Sequence, residues 1–131
     1  MTQEDKELLL KDLCERLPYG VKVKTPYNDA ILRGIVDRKG VKTTIDYTDI
    51  VTDKQTYPIR YIKPYLRPMS SMTEEEKEEY CQLQQRVIYN SKGVINEDVT
   101  KYINWCYKKH LDINNLIPME LAIDATNLNI Y

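Results

Sequence analysis

The sequence predicts an α+β protein in which one helix precedes, and two helices follow, a small, strongly bent antiparallel sheet. An SH3-like barrel is the simplest architecture for that sheet. Three observations support this class. Apolar residues recur at helical spacing near the start of the chain, short alternating segments separated by turn residues occupy the next fifty residues, and helical spacing returns after residues 62–69.

Length and composition favour a single domain over residues 1–131, with an N-terminal helical part (1–17), a β-rich part (18–68) and a second helical part (69–131). Three cysteines lie far apart, without a C-x-x-C pair, on the apolar sides of predicted helices: Cys14, Cys81 and Cys106. We interpret them as buried thiols of a cytoplasmic protein. We expect no signal peptide and no membrane-spanning segment.

The first helix is predicted over residues 3–16, because Leu10, Leu13 and Leu17 lie on one helical stripe and Pro18 ends it. A strand follows at 21–24, where Val and Lys alternate. A dense apolar strand is predicted over 30–37, with a bend or bulge at Gly34. A turn at 38–40 then leads into a paired strand at 41–47.

Proline dominates the second half of the β-rich part. Residues 48–55 are predicted to form a loop, and residues 57–62 to alternate as a strand that Pro58 confines to the sheet edge. Pro64 and Pro68 each remove an amide donor, so we expect residues 62–69 to form a hinge and not a central strand.

Two helices are predicted after the hinge. Ser71 and Thr73 have the capping-box spacing to Glu74 and Glu76, which predicts a helix over 74–89. Asn96 is expected to cap a third helix, and residues 116–123 to form a tail packed across the body. One shared core should bury Leu13, Val23, Ile35, Ile45, Ile59, Leu83, Ile103 and Cys106.

Charge is distributed unevenly along a chain whose net charge is -1. Residues 16–68 contain eleven Lys and Arg residues and five Asp residues, whereas residues 71–131 contain six Lys and Arg residues and ten acidic residues. This asymmetry indicates either a basic binding face or mutual attraction of the two halves. The acidic run at 74–79 is a solvated helix start or a site for a basic partner.

Basic residues interleaved with tyrosines in the β-rich part form the candidate binding site. Such a face would track a nucleic-acid backbone and stack bases, although strand lysines also protect sheet edges from aggregation. The six candidate binding residues are Lys22, Lys24, Arg60, Lys63, Tyr65 and Arg67.

No catalytic, metal or cofactor site is predicted. His110 is the single histidine, and Cys106 lies one helical turn before it, but two ligands on one helix do not make a zinc site. Asp46, Asp49 and Asp53 lack the alternate ligands and central Gly of an EF-hand loop. The sequence also lacks a glycine-rich phosphate loop and a G-x-S-x-G motif.

Three sequence blocks carry a resemblance: LLLKDLCERLPYGVKV at 8–23, KPYLRPMSSMTEEEKEEY at 63–80 and INWCYKKHLDINNLIPMELAI at 103–123. The chain resembles a family of short proteins of gut Bacteroidales and their phages, in which these blocks are similar and the strand region between them varies. The family usually shows paired histidines where this chain reads KKHLD at 108–112. The resemblance implies no activity.

We therefore expect a non-enzymatic protein-interaction module of a bacterial or phage genome, whose partner is a protein. The alternative is a nucleic-acid-binding protein that uses the basic strand half. Neither hypothesis requires a cofactor or a membrane.

Overall fold

The computed structural model describes residues 2–37, 48–89 and 96–131. Its α-helices are α1 (Gln3–Arg16), α2 (Glu74–Tyr89) and α3 (Asn96–Lys108). The predicted bounds of α1 and α2 are confirmed, and both begin with a capping box, Thr2 with Asp5 and Thr73 with Glu76. Ser71 does not cap α2, because its hydroxyl donates to the Pro68 carbonyl.

The described strands are β1 (Lys22–Lys24), β2 (Asp29–Asp37), β3 (Thr48–Thr52), β4 (Thr56–Pro58), β5 (Lys63–Leu66) and β6 (Ile123–Asp124). They form one sheet in the order β4-β3-β2-β1-β5-β6, in which the β5–β6 pair is parallel and the other pairs are antiparallel. The α+β class is confirmed. The sheet is mixed and open in the described ranges, so closure into an SH3-like barrel is not confirmed, and the predicted strand at 41–47 lies outside those ranges.

The predicted loop at 48–55 is wrong, because its first five residues are β3. Ile50 on this strand is fully buried opposite Tyr57 of β4, and this burial and pairing outweigh the weak strand propensity of the neighbouring Asp residues. The predicted irregularity at Gly34 is confirmed by a register shift between Leu32 and Gly34. Pro58 lies on an edge strand, as predicted, but residues 59–61 form a 3-10 turn.

The hinge prediction for residues 62–69 is also wrong, because β5 lies between β1 and β6. Its pairing explains how a strand tolerates proline. The ladder with β1 comprises only Lys63 and Pro64, and the ladder with β6 begins at Tyr65. Pro64 therefore lies near the start of the strand, where a missing donor disrupts little of the ladder.

The hydrophobic core lies between α1, the inner sheet face and the segment 116–122. Of the predicted core residues, Leu13, Val23 and Ile59 belong to it and Ile35 packs against it. Leu116, Leu121 and Ala122 are buried in the same cluster, which confirms the packed tail. The core contains Leu9, Leu13, Val21, Val23, Ala30, Leu32, Ile50, Tyr57, Ile59, Ile62, Leu66, Leu116, Leu121 and Ala122.

The core prediction is wrong for Leu83 and Ile103, is not tested for Ile45, and is right about the burial of Cys106, although Cys106 lies outside this cluster. Leu83 and Ile103 are only half-buried, because α2 and α3 pack mainly against each other through tilted Tyr80 and Tyr102 rings, and Ile45 lies outside the described residues. Cys106 is buried, but Cys14 and Cys81 are exposed free thiols. Cys14 is exposed because the buried stripe of α1 runs through Leu9, Asp12, Leu13 and Arg16.

A buried ion pair within α1, which the sequence analysis did not predict, is hydrogen-bonded to the loop after α3. Arg16 and Asp12 are both fully buried, with the Arg16 Nε 2.7 Å from Asp12 Oδ2. The Arg16 Nη2 also donates to the Leu111 carbonyl at 2.7 Å, and Asn114 donates to Asp12 at 2.8 Å. The pair fixes the loop against α1, since a buried charge must stay hydrogen-bonded.

Truncating a core side chain tests this assignment. Leu13→Ala is expected to lower the free energy of unfolding by about 2–5 kcal/mol, because the leucine is fully buried and its removal leaves a cavity. Cys14→Ser, at the neighbouring exposed position, should change stability by less than about 0.5 kcal/mol. Urea denaturation of both variants measures the difference, and a Leu13→Ala effect as small as that of Cys14→Ser would contradict the described core.

Candidate functional site

The outer face of the sheet, which faces away from the core, presents six side chains on three adjacent strands. We define this outer face as Asp29, Ile31, Lys22, Lys24, Lys63 and Tyr65. The register places Lys24 of β1 directly between Asp29 of β2 and Lys63 of β5. Lys24 and Lys63 are exposed, so two cations stand opposite each other on neighbouring strands.

A groove of about 230 Å³ crosses the outer face next to this lysine pair. The groove carries two lysines and two aspartates around an apolar floor, and is lined by Lys22, Asp29, Ala30, Ile31, Asp53, Lys54, Tyr65 and Ile130. Two backbone contacts position its rim. Asp53 accepts the Ile31 amide at 2.9 Å, and the Lys54 ammonium donates to the Asp29 carbonyl at 2.7 Å.

A short hydrogen bond joins two of the residues that line the groove. The Tyr65 hydroxyl donates to the Asp29 carboxylate at 2.6 Å. Burial, together with this neighbouring carboxylate, raises the pKa of Tyr65 to about 12. Tyr65 is therefore a buried hydrogen-bond donor within the groove. The sequence had suggested that its ring stacks on a nucleic-acid base, but the buried ring is not available for that contact.

The structure separates the six predicted binding residues into three groups. Lys22, Lys24, Lys63 and Tyr65 lie together on the outer face. Arg60 lies in the 3-10 turn 59–61, where its guanidinium stacks 4.5 Å from the centre of the Tyr61 ring. Arg67 follows β5 and is bound by α2.

Arg67 and Glu76 form a bidentate ion pair between the basic and acidic halves of the chain. The Arg67 Nη2 lies 2.7 Å from Glu76 Oε1, and Nη1 lies 2.9 Å from Oε2. The Arg67 hydrogen bonds lower the pKa of Glu76 to about 2. The attraction predicted from the charge asymmetry thus exists at this pair, and Arg67 is occupied by an intramolecular carboxylate.

Sequence reasoning missed the three other charged members of the groove, namely Asp29, Asp53 and Lys54. Asp53 was assigned to a solvated loop, and no local pattern connects Asp29 to Tyr65, which is 36 residues away. The turn at 52–55, in which Thr52 bonds the backbone of Gln55, brings Lys54 to β2. A turn signal at 52–55 was the only local indication of this contact.

The remaining candidates do not form a reactive site. Burial raises the pKa of Cys106 to about 11 and lowers the pKa of His110 to about 4. Both shifts are opposite to those of an activated thiolate beside an imidazolium. Asp49 is buried on β3, and in the described ranges no group of three or more His, Cys, Asp or Glu side chains is arranged to hold a metal ion.

Comparisons with protein-family models, with curated proteins and with solved structures found no match to this chain. The resemblance to proteins of Bacteroidales and their phages therefore stays a prediction. None of the helices in the described parts of the chain is both long and apolar enough to cross a membrane.

Replacing Glu76 tests the ion pair. The folded-state pKa of Glu76 lies below its ordinary value, so its stabilisation is fully present above about pH 4.5 and is lost as the pH falls through about 2. Glu76→Gln should lower the free energy of unfolding by about 3 kcal/mol at pH 7 and by much less near pH 2. Denaturant titrations at both pH values measure this.

Glu75→Gln is the matched control, because Glu75 is exposed and its substitution removes a carboxylate from the same helical turn. Its effect should stay below about 0.5 kcal/mol at either pH. If both variants lose the same stability at pH 7, the helix dipole and not the Arg67 pair accounts for the effect of Glu76.

Proposed function

We propose that this chain is a non-enzymatic protein-interaction module that binds an acidic segment of a partner protein on the outer face. The exposed pair Lys24 and Lys63 carries this proposal. Directly opposed like charges destabilise a sheet, so native sheets usually place opposite charges there. An acidic side chain of a partner would neutralise both lysines at once.

The acidic helix α2 leaves this pair accessible. Glu76 is bound to Arg67, Glu74 pairs with Lys77 at 3.2 Å, and Glu79 accepts the Trp105 indole at 2.9 Å. These carboxylates therefore have partners within the helical part or at Arg67. Their positions support the view that the α2 carboxylates do not neutralise the positive charges of Lys24 and Lys63.

The groove supports a polypeptide as the ligand. Asp29 and Asp53 lie beside Lys22 and Lys54 in its lining, so the acidic side chain of the partner would lie over Lys24 and Lys63, next to the groove and not within it. A polypeptide offers both signs of charge and apolar side chains, which would contact Ile31 and Ile130. The groove volume of about 230 Å³ suits one or two partner side chains.

The proposal includes a cytoplasmic setting and a bacterial or phage genome. The cytoplasmic setting is supported by the exposed free thiols Cys14 and Cys81, which stay reduced in that compartment. The source rests on the resemblance of the three sequence blocks alone.

A labelled oligoglutamate peptide tests the proposed surface. Lys24→Gln/Lys63→Gln should weaken its binding about five- to thirty-fold at low salt, because each lysine contributes about 0.5–1 kcal/mol. Lys11→Gln/Lys101→Gln, which removes two exposed lysines from α1 and α3, should have little effect. Fluorescence anisotropy measures both affinities, and equal losses in the two double variants would show non-specific attraction.

The same double variant should not be destabilised. It removes the repulsion between Lys24 and Lys63 and also the attraction between Lys24 and Asp29, and these effects are of similar size, so the free energy of unfolding should change by less than about 0.5 kcal/mol. A loss of peptide binding at unchanged stability separates the proposed role from damage to the fold. A clear loss of stability would instead assign a structural role to the lysines.

Nucleic-acid binding is a second candidate because the Arg60 guanidinium stacks over the exposed ring of Tyr61, close in sequence to Lys63. A cation on an aromatic face suits an unstacked base. Oligothymidylate binding should then fall with salt, with a slope of about -0.7 per neutralised phosphate in log affinity against log salt.

Tyr61→Ala should weaken that oligothymidylate binding by roughly tenfold, because stacking on an aromatic ring contributes about 1–3 kcal/mol per base. Tyr27→Ala is the control, since Tyr27 is also highly exposed but lies in the β1–β2 turn. A flat salt titration, or oligoglutamate that outcompetes oligothymidylate, would exclude this candidate.

A further inference from the structure

The segment 127–131, here called the strap, is fastened to the sheet by one hydroxyl group. The Tyr131 hydroxyl accepts the Lys22 amide at 2.9 Å and donates to the Tyr65 carbonyl at 2.7 Å. The β1–β5 register pairs Val23 with Pro64 and Lys24 with Lys63, so Lys22 and Tyr65 would be the next pair. The hydroxyl therefore replaces a ladder hydrogen bond between two diverging strands.

The Tyr131 ring also stacks on His110. The ring centres lie 3.8 Å apart and the rings are nearly parallel, at 9°. His110 itself is held in a left-handed backbone conformation with a φ of 60°, and its carbonyl accepts the Arg67 amide at 2.8 Å. The imidazole thus belongs to a fixed part of the fold, and the strap lies against it.

Other attachments of the strap are few. Within the described residues, its one further hydrogen bond is from the Leu128 amide to the Ala125 carbonyl, and the Leu128 side chain is about half exposed. Segments with little buried apolar surface open at a small fraction of the global unfolding free energy. The strap is therefore able to detach while the core stays folded.

The surroundings of His110 oppose its protonation. Its Nδ1 is buried and has no hydrogen-bond partner in the part of the chain that the structure describes. Burial and three cations, Arg16 from α1, Arg67 after β5 and Lys22 from β1, lower the pKa of His110 to about 4. A proton on this ring would add a positive charge beside these cations, of which Arg16 is paired with Asp12 and Arg67 with Glu76.

We propose that the strap is released by acid: a proton on the buried His110 ring can be hydrated only when the Tyr131 ring leaves, and this withdraws the hydroxyl from the gap between β1 and β5. Ile130 lines the groove on the outer face and also a second groove of about 160 Å³ beside Arg67 and Ser71. Release of the strap would join the two grooves. That consequence for binding rests on the proposed function, whereas the release itself does not.

The direction follows from linkage. In the released state His110 gains water on the face that Tyr131 covered, while Arg16, Arg67 and Lys22 stay beside it. Its pKa therefore rises from about 4 toward the ordinary value of 6.5 without reaching it, so the open form binds the proton more readily than the closed form. The preference for the closed form is lost progressively as the pH falls from about 6.5 toward 4, and between pH 7.5 and 5 the opening equilibrium should increase several-fold, with about 30-fold as the upper limit.

Amide hydrogen exchange measured by NMR tests the release without any partner. The Lys22 amide donates to Tyr131 and reports on the strap, while the Leu32 amide donates to the Val21 carbonyl in the core and reports on the whole fold. Between pH 7.5 and 5, the protection factor of Lys22 should fall several-fold, by at most about 30-fold, and that of Leu32 much less. An unchanged Lys22 factor, or equal losses at both amides, would overturn the proposal.

Two variants complete the test. His110→Asn keeps a residue that tolerates positive φ but does not titrate, so the pH dependence at Lys22 should disappear. Tyr131→Phe keeps the ring stack but removes the hydroxyl, so Lys22 should exchange rapidly at both pH values. Persistence of the pH dependence in His110→Asn, or of Lys22 protection in Tyr131→Phe, would refute the mechanism. Neither result depends on oligoglutamate binding, so a failure of one proposal leaves the other testable.

Discussion

Arg67 forms hydrogen bonds with several segments that are distant in sequence, and no local sequence pattern indicates these contacts. Its amide donates to His110 and its carbonyl accepts Asp112, both at 2.8 Å, so the residue extends β5 alongside the chain that leaves α3. Its guanidinium binds Glu76 at the start of α2 and the carbonyls of Ser71 and Lys109. Because a guanidinium presents several donors in one plane, a single side chain satisfies groups from three segments and connects the start of α2 to the residue that follows α3.

The buried Asp12–Arg16 pair performs a similar role from the opposite side. Arg16 donates to Leu111, and Asn114 donates to Asp12, so α1 fixes the loop that follows His110. Leu116 and Ile117 are fixed in turn, since both of their amides donate to Asp112. A buried ion pair contributes little net stability but tolerates few alternative arrangements, because any displacement leaves a charge without a partner. The loop after α3 is therefore specified by polar contacts and not by apolar burial alone.

These long-range contacts explain which parts of the structure the sequence predicted. Helices α1 and α2 follow from apolar spacing and capping boxes, which act over three or four residues, and their bounds were predicted correctly. Strands β3 and β5 were missed because the Asp residues in and beside β3 and Pro64 in β5 disfavour strands locally, whereas pairing with β2 and β1, which are distant in sequence, stabilises them. The exposed lysines on β1 and β5 could be identified from alternation, but the groove could not. Its closure requires Asp29 to meet Tyr65, and a contact across 36 residues leaves no signal in a single sequence.

The placement of charge connects the fold to its proposed surface. An acidic helix next to a basic sheet would cancel the field of that sheet if its carboxylates lay over the lysines. The capping box prevents this, because Glu76 must accept the Thr73 amide at 2.9 Å while it binds Arg67. The start of α2 is thereby held at the end of β5, beyond Lys63. The α2 carboxylate at the end of β5 neutralises Arg67, and Asp29 beside Lys24 balances only one of the two exposed lysines, so the remaining positive charge is left for the proposed partner to neutralise.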